Sequence, residues 1–97
     1  MDYRQALGSS MRKIRKARGL SQESFADVSS RGHISELERG VIGITVEKLI
    51  ELAEVMQVHP MTVLLDSFSQ YDDVMPARLL EQIAEELKQV GGKESEA

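Results

Sequence analysis

Gly19 and Gly40 constrain this chain more than any other pair of residues. They bracket GLSQESFADVSSRGHISELERG, a segment that reads as two short helices joined by a tight turn. Gly19 can take the left-handed conformation that closes a preceding helix, Leu20 can staple, and Ser21 can cap the first free amides of a new one. That helix starts near Gln22 and carries Phe25, Ala26 and Val28 as its apolar set, too little to stand without neighbours. Ser29-Ser30-Arg31-Gly32 breaks it, Ser30 is placed to cap a second helix, and Gly40 stops that helix. On the second helix Ile34 and Leu37 lie three apart and face inward. Arg31, Gly32, His33, Ser35 and Glu36 are left around its amino-terminal and outward side. A short polar helix pinned by two apolar residues suits insertion of its first turns into a DNA major groove.

Three stretches, RKIRKARGLSQESFA, ISELERG and TVEKLIELAEVMQVHPMTVLL, resemble in order and spacing the xenobiotic-response-element (XRE) type of helix-turn-helix regulators, which includes phage Cro and repressor DNA-binding domains. The resemblance covers roughly two-thirds of the chain and departs from the family at one place: between Ala26 and Ile34 the chain is about two residues shorter than the usual pattern. It implies an all-α fold, a compact five-helix lambda-repressor-like domain over residues 1–66, with a recognition helix over about residues 31–39. It also implies that Gln22 clamps a phosphate while Arg31, Gly32, His33 and Glu36 face base edges, with Ser35, Arg12 and Arg39 completing the expected DNA contacts. Arg31 can bind guanine in a bidentate manner and Glu36 can accept from cytosine; His33 can do either or touch phosphate. Glu36 is equally suited to an ion pair with Arg39, three residues on.

A net charge of −4 looks wrong for a nucleic-acid binder until it is divided along the chain. Residues 1–20 set Arg4, Arg12, Lys13, Arg15, Lys16 and Arg18 against Asp2, whereas residues 46–97 set eleven acids against Lys48, Arg78, Lys88 and Lys93. The chain is a charge dipole. DNA affinity follows local phosphate contacts rather than net charge, so Arg12, Lys13, Arg15 and Lys16 are candidates for the backbone; the alternative is a merely solvated basic face.

The first helix is expected over about residues 4–18, with Leu7, Met11 and Ile14 as its buried stripe. In the loop Val41-Ile42-Gly43-Ile44 the β-branched side chains either pack under the fold or join a subunit contact. Thr45 caps a helix whose Leu49, Leu52, Ala53 and Met56 share one face. His59-Pro60 ends that element and opens a fifth helix, largely buried through Met61, Val63, Leu64 and Leu65. Residues 67–75 are polar enough to read as a linker, with Phe68 and Tyr71 docking it onto the domain. Pro76 begins a helix over residues 76–91 in which Leu80, Ile83, Leu87 and Val90 follow the spacing of a coiled-coil seam. Two heptads are marginal alone, so this helix packs either on its own domain or, as favoured here, on another subunit in a homodimer or higher symmetric assembly. Residues 92–97 are expected to form a disordered tail.

Composition narrows the function further. With 97 residues, 41% hydrophobic content and two Phe and two Tyr, one small aliphatic core is the expectation. There is no cysteine and hence no disulfide or thiolate metal site, and no apolar run nears the roughly 18 residues that span a bilayer. The amino terminus lacks a signal-peptide core, so a cytoplasmic and bacterial or phage protein is expected. No nucleophile motif, phosphate-binding glycine loop or metal spacing points to an enzyme, and no cofactor is expected. The two functions in competition are a sequence-specific regulator of transcription on double-stranded DNA and a protein-binding adaptor or antitoxin-like partner built on the same fold.

Overall fold

Asp2 opens the chain's first helix by reciprocal capping: its carboxylate accepts from the Gln5 amide at 2.9 Å, and the Gln5 side chain accepts from the Asp2 amide at 2.9 Å. The computed structural model describes residues 1–91, and in them this helix, α1 (Tyr3–Ala17), is followed by a 3₁₀ turn (Gln22–Phe25), α2 (Arg31–Glu38), α3 (Val46–Met56), α4 (Pro60–Asp72) and α5 (Pro76–Gly91). No strand occurs among the described residues.

The expected punctuation holds at nearly every boundary. Gly19 (φ 71°) and Gly40 (φ 76°) close α1 and α2 in the left-handed conformation. Each closure lets the next amide reach back five residues, Leu20 to the Arg15 carbonyl at 3.1 Å and Val41 to that of Glu36 at 3.0 Å. The Ser30 hydroxyl accepts from the His33 amide at 3.1 Å and Thr45 from that of Lys48 at 3.0 Å, while His59 Nδ1 accepts from the Met61 amide at 2.9 Å ahead of Pro60.

One element differs in kind. The helix expected from Gln22 is a single 3₁₀ turn followed by turns through Val28, with Ala26 donating to the Glu23 carbonyl at 3.1 Å and Val28 to that of Phe25 at 2.9 Å. The deficit of about two residues accounts for this. A 3₁₀ coil rises about 2.0 Å per residue against 1.5 Å in an α-helix, so it covers more distance with fewer residues. Phe25, fully buried, anchors one end of the span and the Ser30 cap fixes the other.

Leu7, Met11, Phe25, Ile34, Leu37, Leu49, Leu52, Met56 and Val63 form one core, with Ile14, Ile42 and Ile44 packed at its edge. The loop after α2 therefore does tuck two of its β-branched residues under the fold, while Val41 stays exposed. α4 is less buried than expected: Val63 is inside, Leu64 and Leu65 are half-buried and Met61 is exposed.

The segment read as a linker is helix for most of its length. α4 runs to Asp72, so only residues 73–75 separate it from α5. Phe68 and Tyr71 do dock on the domain, but from within α4: the Tyr3 ring of α1 lies 4.6 Å from Phe68 and 5.6 Å, edge-on, from Tyr71. Beside them Ser67, fully buried, shares a 2.9 Å hydrogen bond with the Tyr3 hydroxyl. The tail 92–97 lies outside the described residues.

Candidate nucleic-acid interface

α2 is too short to hold itself, and three features mount it. Ile34 and Leu37 are fully buried in the core. Gly8 of α1 lies directly under its carboxyl end: a Cβ at that position would fall 2.4 Å from the Leu37 carbonyl oxygen and 2.7 Å from that of Glu38, so the two backbones touch where only glycine fits. The third feature is an ion pair out of solvent. Arg15 Nε and Nη2 donate to Glu38 at 2.6 and 2.9 Å, with side-chain exposures of 9% and 4%. Arg15 Nη1 also donates to the Leu20 carbonyl at 2.8 Å, and Gln22 Nε2 to Glu38 Oε1 at 3.2 Å. Hydrogen bonding to Glu38 raises the Arg15 pKa above its ordinary value against the opposing effect of burial, so the pair is firmly charged. One cluster thereby ties α1, the turn after it, the 3₁₀ turn and α2.

The expected DNA-contacting residues fall into three groups. Arg31, Gly32 and Glu36 are exposed at the open end and side of α2, together with Arg39 beyond it and Arg12 on α1. Arg31 leans on Glu23 at 3.3 Å, a pair so exposed that DNA can replace the carboxylate without a large penalty. Glu36 and Arg39 make no ion pair among the described residues. Ser35 and His33 are half-buried, and His33 Nε2 is shut off from solvent with no hydrogen-bond partner, so that nitrogen is not offered to a base. Gln22 is the third case, since its amide nitrogen is already held by Glu38.

Of the four α1 cations considered for the DNA backbone, two are engaged within the protein. Arg15 belongs to the α2 mount. Lys13 pairs with Asp66 at 2.5 Å, and Asp66 also accepts from Ser10 at 2.6 Å and Gln70 at 2.9 Å. Burial pushes the Asp66 pKa up, but the hydrogen bonds from Lys13, Ser10 and Gln70 outweigh it and hold the carboxyl below its usual range. Arg12 and Lys16 remain exposed and unpaired among the described residues.

On α5 the inward residue is Leu79 rather than Leu80. Leu79 is buried and Ile83 half-buried against α4, whereas Leu80, Leu87 and Val90 are 55%, 62% and 83% exposed. Between the two helices lies an apolar groove of about 280 Å³ lined by Met61, Leu64, Leu65, Phe68, Leu79 and Ile83.

Sequence reasoning missed Gly8, Leu79 and the role of Arg15. A signal for Arg15 was present, because Leu7, Met11 and Arg15 recur every four residues and the buried stripe simply runs on into a charge.

A polar-faced helix joined through a tight turn to a preceding 3₁₀ turn and held from beneath by α1 has the layout of a helix-turn-helix DNA-binding module. The family profile described as "Helix-turn-helix" matches residues 11–62, over half the chain, and the protein belongs to that family, of the XRE type. It is 40% identical over 60 residues to y4dJ of Sinorhizobium fredii (strain NBRC 101917 / NGR234), an uncharacterized HTH-type transcriptional regulator, covering 60% of this chain and 78% of that one. Two crystal structures of the clp gene regulator ClgR from Corynebacterium glutamicum are similar in fold. One superposes with a TM-score of 0.67 at 28% identity, covering 72% of this chain and 94% of that one. The other gives 0.70 at 25% identity, covering 93% and 95%. The chain is accordingly a DNA-binding transcriptional regulator.

Proposed function

We propose that this regulator reads double-stranded DNA through the exposed side of α2, with Arg31 as its principal base contact, and that it does so as a symmetric homodimer or higher assembly. The observation that carries the reading is the division of α2 itself. Ile34, Leu37 and Glu38 hold the helix from below, while Arg31, Gly32 and Glu36 touch nothing in the core. With Gln22 bound to Glu38, its contribution is to position α2 as well as to reach a phosphate. A single reading helix covers only a few base pairs, and two related by a two-fold axis read half-sites about 34–36 Å apart. The uncovered Leu80, Leu87 and Val90 supply an apolar stripe for such an assembly. A regulator of this kind acts in the cytoplasm and requires neither catalysis nor a cofactor.

The same uncovered stripe suits an adaptor or antitoxin-like partner of another protein. A mobility-shift titration with genomic fragments, including the chain's own promoter, separates the two. Arg31→Ala should weaken specific binding by about 1–3 kcal/mol more than non-specific binding. Equal losses on both DNAs would reduce Arg31 to a positioning contact, and no shift on any fragment would favour the adaptor.

A further inference from the structure

The apolar groove between α4 and α5 has an acidic rim. Asp72, Gln82 and Glu86 complete its lining, and no lysine, arginine or histidine belongs to it. Glu86 accepts from the Gln82 side chain at 3.0 Å, and neither carboxylate has a cation within ion-pair distance among the described residues. Arg78 of α5 lines a separate recess with Val74, Glu81 and Gln82. Asp72 is also the last residue of α4, where the free carbonyls of the helix end add to the negative field. One wall is aromatic. Phe68 lies one turn before Asp72 on the same side of α4 and is 40% exposed, while Tyr3, with ring centroids 4.6 Å apart, holds its ring in place.

These features select an occupant. Two uncompensated carboxylates and a fixed aromatic face favour positive charge and repel anions. The apolar walls favour carbon over a hydrated metal ion, which would lose its water there and gain no ligand in return. Size argues against a protein: nine residues line the groove, whereas a stable protein–protein interface takes roughly 20–30 a side. Its volume of about 280 Å³ stands at the small end of ligand sites. We infer that the groove binds a small lipophilic organic cation, its apolar body along Leu65, Leu79 and Ile83 and its charged head against Phe68 and Asp72, with Glu86 adding to the field from α5. The site stands independently of what α2 reads. Because α5 rests on α4 alone through this contact, an occupant there would fix the angle between α5 and the rest of the domain.

The test titrates the isotope-labelled full chain with benzyltrimethylammonium, a lipophilic cation, and with benzyl alcohol, an uncharged counterpart, at fixed ionic strength, and follows the amide NMR shifts. The cation should move the amides of residues 61–72 and 79–86 along a curve that saturates at about 10 mM or below. Asp72→Asn/Glu86→Gln should weaken the cation by about threefold to tenfold, the worth of two exposed charge contacts, and leave benzyl alcohol as it was. Glu81→Gln/Glu85→Gln removes the same charge from α5 outside the lining and should change neither ligand. All four positions are exposed, and the amide spectrum reports that each variant folds. Equal affinity of the rim variant for the cation overturns the inference, as does an equal loss in the α5 control, which would mean that only the overall charge matters. Shifts that never saturate, or that fall outside the groove, overturn it too. If the groove amides move with protein concentration alone and the cation does not reverse the change, a second copy of the chain fills the groove and the cation site is refuted.

Discussion

Replacing Glu38 by glutamine keeps the shape of the side chain and removes its charge, which isolates the ion pair beneath α2. Glu38 accepts three hydrogen bonds, two from Arg15 and one from Gln22, at 2.6, 2.9 and 3.2 Å, with only 4% of its side chain exposed. In the variant one of those acceptors becomes an N–H donor facing a guanidinium, and Arg15 keeps its charge with the Leu20 carbonyl as its remaining strong partner. Breaking a buried pair from one side costs about 3–5 kcal/mol. A chain of this size has roughly 5–15 kcal/mol in total, and each kcal/mol moves the melting temperature of such a domain by about 4–8 °C, so a fall of at least about 12 °C is expected. Arg15→Met should behave alike. The double variant Arg15→Met/Glu38→Leu removes both charges at once and should lie within about 2 kcal/mol of the wild type, because an apolar replacement of the whole pair is nearly neutral. Urea and thermal unfolding of the wild type, Arg15→Met, Glu38→Leu and the double variant close the cycle and give the coupling energy directly. If the double variant loses as much as the two single variants together, the pair contributes nothing as a pair and α2 is held by Ile34 and Leu37 alone.

Gly8→Ala should be far more damaging than an alanine in a helix normally is. The new Cβ meets the Leu37 carbonyl oxygen at 2.4 Å, and displacing α2 should cost about 1–3 kcal/mol or more despite the better helix propensity, read by urea unfolding together with weakened DNA binding. Asp66 makes stability fall in acid: its folded pKa lies below the unfolded value, so its contribution is complete above the unfolded pKa near 3.9 and disappears as pH drops through the folded value. Asp66→Asn should flatten that part of the stability curve in an unfolding series from pH 6 to pH 2. Leu87→Glu, at a position 62% exposed, should leave the fold intact and lower the assembly state seen by light scattering; an unchanged mass would place the subunit contact elsewhere.

Which features could be read from the sequence follows from how local their causes are. Ser30, Thr45 and His59 act on amides two or three residues away, and Gly19 and Gly40 act on their own backbone, so each boundary announces itself. The linker reading failed because residues 67–72 are polar by composition, whereas what keeps them helical is Tyr3, more than sixty residues away, stacked on Phe68 and bonded to Ser67. Leu79 escaped notice as the residue that α5 turns toward α4 because adjacent leucines at 79 and 80 belong to two different stripes, and only the position of α4 shows which of the two it covers. The exposed side of α2 could be recognised by elimination, since its apolar residues were accounted for. Its mount could not, because Arg15 and Glu38 look like any other surface charges until the fold brings them to 2.6 Å.

That mount has a consequence for how such a protein diversifies. What keeps α2 in place comes from Ile34, Leu37, Glu38, Gly8, Arg15, Gln22 and the Ser30 cap, and none of these lies on the outward side of the helix. Substitutions at Arg31, Gly32 and Glu36 therefore change little of the folding free energy, within about 0.5 kcal/mol for typical surface positions. The outward side is then a replaceable cassette, and a lineage can drift from one operator to another through those positions while the scaffold beneath stays under unbroken selection.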